Sequence, residues 1–199
     1  MGRPKSISNA ALLAAAREVF VRDGAAGSTT EIAALAGVSE ATLFKRFSTK
    51  AALFIAALAP PRVDSDAIIA EADAVSDPRD AIQLIGARAL AYFREALPLA
   101  MPLIANPLIG LEGLRRHAEF GGAQALTAAI ANFIARRAEA GEVRAADPLA
   151  AAMALVAMIH SIAVFEVMGL HAEAMPPDAV RALVSALWDG LTPQAGAPA

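Results

Sequence analysis

Residues 29–50 read TTEIAALAGVSEATLFKRFSTK: two short helical patterns joined by a tight turn, then the start of a third. That is the outline of a helix-turn-helix. Thr29 or Thr30 can cap the first helix with a hydroxyl, and Glu31 lies in its first turn, where negative charge suits the helix dipole. Ile32, Leu35 and Ala36 recur at i, i+3, i+4 and are expected to form the buried stripe, with Ala33 small enough for a second helix to approach. Gly37 supplies the freedom a sharp turn needs. Ser39 then caps a second helix over about 40–47, with Leu43 and Phe47 inward and Ala41, Thr42, Lys45 and Arg46 outward.

Small, hydroxylated and basic side chains suit a helix that enters a major groove between two phosphate backbones. A plain helical hairpin with a solvated basic face is the competing reading, and Lys50 argues against it. Ser48 and Thr49 cap the next helix, so the Lys50 ammonium sits at a helix N-terminus, where a cation is disfavoured unless an anion such as a DNA phosphate is near.

These residues resemble the DNA-binding motif of the TetR family of bacterial transcriptional regulators. The resemblance runs from about Gly2 to Leu58. It rests on Thr30, Ile32, Ala33, Ala36, Gly37, Val38, Ser39, Thr42, Leu43, Phe47, Lys50, Leu53 and Phe54 at the expected spacing. The DNA-contacting set expected here is Arg3, Lys5, Thr30, Ser39, Ala41, Thr42, Phe44, Lys45, Arg46 and Lys50. There are departures: Ala41 stands where the family usually has glycine, and Phe44 where it has an aromatic hydroxyl residue. Lys45 and Arg46 occupy positions often held by histidine and tyrosine. Without the hydroxyl, Phe44 is left to touch sugar or base methyl groups, or to pack.

Charge supports a nucleic-acid module at this end. Residues 1–50 hold seven Lys/Arg against four acids, a balance of +3, which leaves −6 for the rest of a chain whose total is −3. All three lysines, Lys5, Lys45 and Lys50, lie in the basic part. A hydrophobic content of 57% with 19% charged residues predicts a folded chain. With no cysteine there is no disulfide framework and no thiolate metal site. The N-terminus has no apolar stretch of the kind a secretory signal carries, so a cytoplasmic protein is expected.

No window alternates with the period of a strand, so the chain is predicted all-α. The expectation is an N-terminal three-helix DNA-binding domain plus a larger helical regulatory and dimerisation domain, about nine to ten helices in all, divided as 1–59 and 60–199. A first helix runs from near Asn9 to Arg22 with Leu12, Ala16, Val19 and Phe20 inward. A connecting helix runs from Lys50 to the double proline at 60–61. Asp77-Pro78 and Asp147-Pro148 each place a cap before a proline at the first helical position. Pro98, Pro102 and Pro107 are expected to break residues 96–111 into short or bent pieces. The segment PLAAAMALVAMIHSIAVF, residues 148–165, is long and apolar enough to suggest a membrane span. It is mostly alanine, His160 and Ser161 interrupt it, and acids flank it. The expectation is therefore no membrane partner and a helix buried on all sides, for instance between a core and a partner subunit.

One recognition helix reads only a few base pairs, so a homodimer on an inverted repeat of double-stranded DNA is predicted. Its interface is expected on the last two helices, at Leu155, Ile159, Val180, Leu183, Val184, Leu187 and Trp188, as a four-helix bundle of the kind usual in the resembled family. The resemblance also implies a pocket in the body for a small hydrophobic effector. Expected lining residues are Leu90, Phe93, Met101, Leu103, Phe120, Met158 and Phe165, with Arg88, Tyr92, Asn106, His117, His160 and Glu166 as polar candidates. Each has a purely structural reading: His160 as a core or interface histidine, Glu166 as an arginine partner, Arg136 and Arg137 as solvated faces. No phosphate-binding glycine loop, nucleophile elbow or zinc motif is present, so neither catalysis nor a cofactor is expected. The function expected is a TetR-like regulator, most simply a repressor released by its ligand. A ligand-free architectural DNA binder and a helical-bundle enzyme are the alternatives.

Overall fold

The computed structural model describes residues 7–106, 121–170 and 177–191, all helix, turn or loop. The elements are α1 (Asn9–Asp23), a 3-10 turn (Gly24–Ala26), α2 (Thr29–Leu35), α3 (Glu40–Arg46), α4 (Lys50–Leu58), α5 (Ser65–Asp73), α6 (Pro78–Ile104), α7 (Gly122–Glu139), α8 (Pro148–Val167) and α9 (Pro177–Leu191). Expectations at 107–120 and 171–176, including Pro107, His117 and Phe120, lie outside the described residues, as do Arg3 and Lys5.

Capping sets the helix starts. Ser8, Ser39, Thr49, Asp64 and Asp147 each accept a hydrogen bond from the backbone N–H three residues on. At α2 the cap is Ser28, accepting from Glu31 N–H, rather than Thr29 or Thr30. Asp77 accepts from the N–H groups of Arg79 and Asp80, and Pro78 opens α6 where its missing N–H costs nothing.

The chain forms two compact units, each with its own buried cluster. The first, the head, holds α1 to α4 and, from Pro98, the last turns of α6. Its core is built from Leu12, Ala16, Val19 and Phe20 of α1, Ile32 and Ala33 of α2, Leu43 of α3 and Leu53, Phe54, Ala57 and Leu58 of α4. The Phe20 and Phe54 rings meet edge to face at 4.9 Å. Arg17 Nε donates to the Ala57 carbonyl at 2.9 Å, tying α1 to the end of α4. Leu35, expected inside, is 51% exposed. A helix of seven residues can cover only about two turns, and Ile32 with Ala33 already fills the contact.

The second unit, the body, centres on α6, α7 and α8. Ile82, Ile85, Phe93, Leu126, Ile130, Phe133, Leu155 and Ile159 form the middle of its core. At Gly86 three helices converge: an added Cβ would meet Val184 at 3.1 Å, Ile159 at 3.8 Å and Val180 at 3.9 Å. α5 is held to α7 by Arg136, which spans both oxygens of Asp73 at 2.9 and 2.8 Å. Arg137 donates to the Val75 carbonyl and to Glu142. The two guanidiniums lie over the Phe133 ring at 5.8 and 5.2 Å. Arg136 and Arg137 are therefore clamps, not merely a solvated face, because the acids that pair with them sit on the neighbouring helix and loop.

Pro98 and Pro102 do not break α6, which runs through both to Ile104. A proline inside a helix costs about 3 kcal/mol through the missing hydrogen bond and ring clash. Burial of Leu97 in the body cluster and Leu103 in the head cluster, on either side of the prolines, offsets that cost.

Candidate nucleic-acid interface

The α2–α3 turn is built by Gly37, at φ 66°. There Gly37 N–H donates to Ala34 and Val38 N–H to Ala33 at 2.9 Å. This pair of hydrogen bonds at a helix end satisfies the free carbonyls of α2 and needs a residue that tolerates the left-handed conformation. Val38 packs on the head core, and Ser39 restarts the chain as α3 at once. A second tie fixes the two helices: the Thr29 hydroxyl donates to Glu40 Oε1 at 2.6 Å.

α3 turns Leu43 fully inward and leaves Ala41, Phe44, Lys45 and Arg46 exposed, with Thr42 half-buried. Phe47 is partly buried against the head core; Phe44 is 37% exposed and takes no part in that cluster. The Ser39 hydroxyl accepts from Thr42 N–H and pairs with the Thr42 hydroxyl at 3.0 Å. Thr30 is exposed near the start of α2. Lys50 is the first residue of α4, directly after the Thr49 cap, and is half-buried. Arg46 is exposed, yet its Nη1 donates to the Ile7 carbonyl at 2.6 Å and to Asn9 Oδ1 at 3.1 Å. Those partners lie 39 and 37 residues away in sequence, and no helical spacing could have signalled them.

Of the described ligand candidates, some lie in the head unit and the others in the body unit. Leu103 is buried in the head cluster, and Met101 and Asn106 lie beside it in the same unit. In the body, Arg88 turns away to pair with Glu71 at 2.8 Å because α5 presents that acid to it. Phe93 and Leu90 are buried core, Met158 packs against that core, and Phe165 is exposed. His160 packs edge to face on Phe93 at 5.0 Å, and burial pushes its pKa down. Tyr92 lies 5.2 Å from Phe93, and burial pushes its pKa up. Its hydroxyl stands so close over Gly122 that no Cβ could fit there. Glu166 takes a two-point bond from Arg94 at 2.7 and 2.8 Å, the arginine partner its structural reading expected. A shallow depression of about 630 Å3 lies elsewhere, between Ala138, Val143, Arg144, Ala150 and Leu187. None of the expected ligand residues lines it.

Most of the expected interface residues are buried within the chain itself. Leu155, Ile159 and Val184 are fully buried within this chain, and Val180 and Trp188 nearly so, because α6 packs against them at Gly86 and beyond. Leu183 and Leu187 are half-buried. α8 is long and apolar enough to cross a membrane by length and composition alone. It is not covered on all sides within the chain: Leu149, Met153, Ala157, Ser161 and Phe165, at successive intervals of four, form an exposed face, with Met153 57% exposed.

Comparison with known proteins agrees with this geometry. The model of the tetR family of bacterial regulatory proteins matches residues 12–57. That of the C-terminal domain of AefR-like transcriptional repressors matches residues 113–187. A crystal structure of a protein from Mesorhizobium loti MAFF303099 assigned to the TetR family is 23% identical with a TM-score of 0.72, covering 92% of this chain and 96% of that one. NalD, the secondary repressor of the MexAB-OprM multidrug efflux pump in Pseudomonas aeruginosa, is 21% identical with a TM-score of 0.64, over 93% and 96%. The regulator FadR from Bacillus subtilis, solved with stearoyl-CoA, is 15% identical with a TM-score of 0.62, over 92% and 96%. No curated protein matches the chain. With a matching N-terminal reader, a matching C-terminal body and the fold of these regulators, the chain belongs to the TetR family of bacterial transcriptional regulators.

Proposed function

We propose that this protein represses transcription in the cytoplasm as a homodimer on an inverted-repeat operator, and that a small apolar molecule in the body releases it. The observation that carries the reading is the head: α3 stands on a closed turn, its core face sealed by Leu43, with Ala41, Phe44 and Lys45 exposed. Lys45 supplies a phosphate contact, and Lys50 another from the N-terminus of α4, where an anion also relieves the dipole penalty. Thr30, Ser39 and Thr42 are backbone-positioning contacts. Arg3 and Lys5 serve as groove or phosphate contacts of the arm.

Two-fold pairing follows from the exposed stripe of α8. A continuous apolar face of Leu149, Met153, Ala157 and Phe165 is what a symmetric partner would cover, beside the half-buried Leu183 and Leu187 of α9. Ala157 and Ser161 at its middle let two helices approach closely. The effector reading draws support from FadR, which was solved with stearoyl-CoA. Phe93, Tyr92 and His160 are the groups of the body proposed to meet it.

A gel shift on an inverted repeat beside the protein's own gene tests this, with and without hydrophobic compounds. A retarded band that is sequence-dependent and dissolves with one class of compound is the expected result. Binding to every duplex alike would point to an architectural protein, and no binding would end the reading.

A further inference from the structure

The polar side chains that open α3 are bonded to one another or to α2, and two apolar groups face outward beside them. A recognition helix contacts base edges chiefly through its N-terminal residues. Here each polar group of that turn has a partner within the head, although the two hydroxyls keep spare capacity for a backbone contact. The Ser39 and Thr42 hydroxyls pair with each other at 3.0 Å, and the Glu40 carboxylate takes the Thr29 hydroxyl at 2.6 Å. Arg46, at the far end of the helix, has one terminal nitrogen bonded to Ile7 and Asn9. Also outward are the methyl of Ala41 and, one turn on at i+3, the ring of Phe44. Among the described residues Phe44 joins neither the core cluster nor a ring pair, whereas Phe47 packs against the core cluster. Phe44 is 37% exposed, beside Lys45.

Two features indicate what covers that face. Lys45 and Arg46 follow Phe44 directly on α3, and residues 1–50 sum to +3 in sequence, a balance that favours a polyanion as partner. In the major groove the apolar group on a base edge is the 5-methyl of thymine. We propose that Ala41 and Phe44 read thymine methyl groups, so that each half-site is specified mainly by apolar contact rather than by side-chain hydrogen bonds to bases. This rests on the DNA-binding reading above. Lys45 and Lys50 then fix register on the phosphates, and the sequence choice lies with Phe44.

The test begins by selecting tight duplexes from a random pool with the full-length protein. In the selected repeat, each thymine is replaced in turn by deoxyuridine, which removes only the methyl. At one thymine per half-site, removal of a buried methyl weakens binding by the unaltered protein about fourfold, and about fifteenfold when both half-sites are changed. With Phe44→Ala that thymine-to-uracil ratio falls to about one, and Phe44→Tyr keeps it. If deoxyuridine binds as well as thymine at every position, or Phe44→Ala keeps the ratio, the proposal is overturned while DNA binding stands. A pool that yields no enriched duplex overturns both. The deoxyuridine arm uses the unmodified protein, so a variant that fails to fold does not blunt it.

Discussion

A basic side chain on an outward helix face is not automatically a phosphate contact, and Lys45 and Arg46 show the difference. They are adjacent in sequence, yet Arg46 already donates to Ile7 and Asn9 while Lys45 extends freely from α3. Lys45→Ala should lower the slope of log affinity against log salt by about 0.9 for each phosphate no longer neutralised, or about 1.8 for a dimer. Arg46→Gln should change that slope less, and its cost should appear as a head less stable by about 1 kcal/mol in urea unfolding. In the body, His160 makes a separate prediction. Burial holds its folded-state pKa below the ordinary 6.5. The unfolded chain therefore takes up the proton first, and stability contributed by the neutral ring declines as pH falls through 6.5. Urea midpoints at pH 7.5 and 5.5 should differ more for the wild-type protein than for His160→Gln.

Among the elements, α6 and α8 share a polar contact as well as an apolar seam. Arg94 of α6 grips Glu166 of α8 with two bonds, and the Glu166 side chain is only 14% exposed. An exposed pair is worth little, but where the acid is largely covered the bond is less screened by water. Arg94→Ala should therefore cost about 1 kcal/mol by chemical denaturation, more than the same change at Arg88, whose partner Glu71 is open to water. α6 itself shows why residue preference is not decisive within an element. Its two internal prolines are tolerated because leucines on either side are buried, a fact carried by neighbours and not by the helix.

At the scale of the whole molecule, the proposed pairing turns on the exposed side of α8. Met153→Asp places a charge in the middle of that stripe without touching the chain's own core. Light scattering should then find a 20.4 kDa species where the wild-type protein gives twice that mass, and operator affinity should fall together with the dimer. The same experiment on Leu155, which is fully buried in the chain, would unfold the body instead and say nothing about pairing. Most helix starts (α2, capped by Ser28, is the exception), the glycine-closed turns, the four-residue stripe of α1 and the identity of the reading motif were legible in the sequence. Each depends on residues one to four positions apart, and capping and helical period act over that range. The partners of Arg46, Arg136 and Glu166, the continuity of α6 through its prolines and the exposed side of α8 were settled only by the tertiary structure. An apolar helix of nearly uniform composition carries no mark of which face its neighbours will cover, and that choice is made by helices far away in the chain.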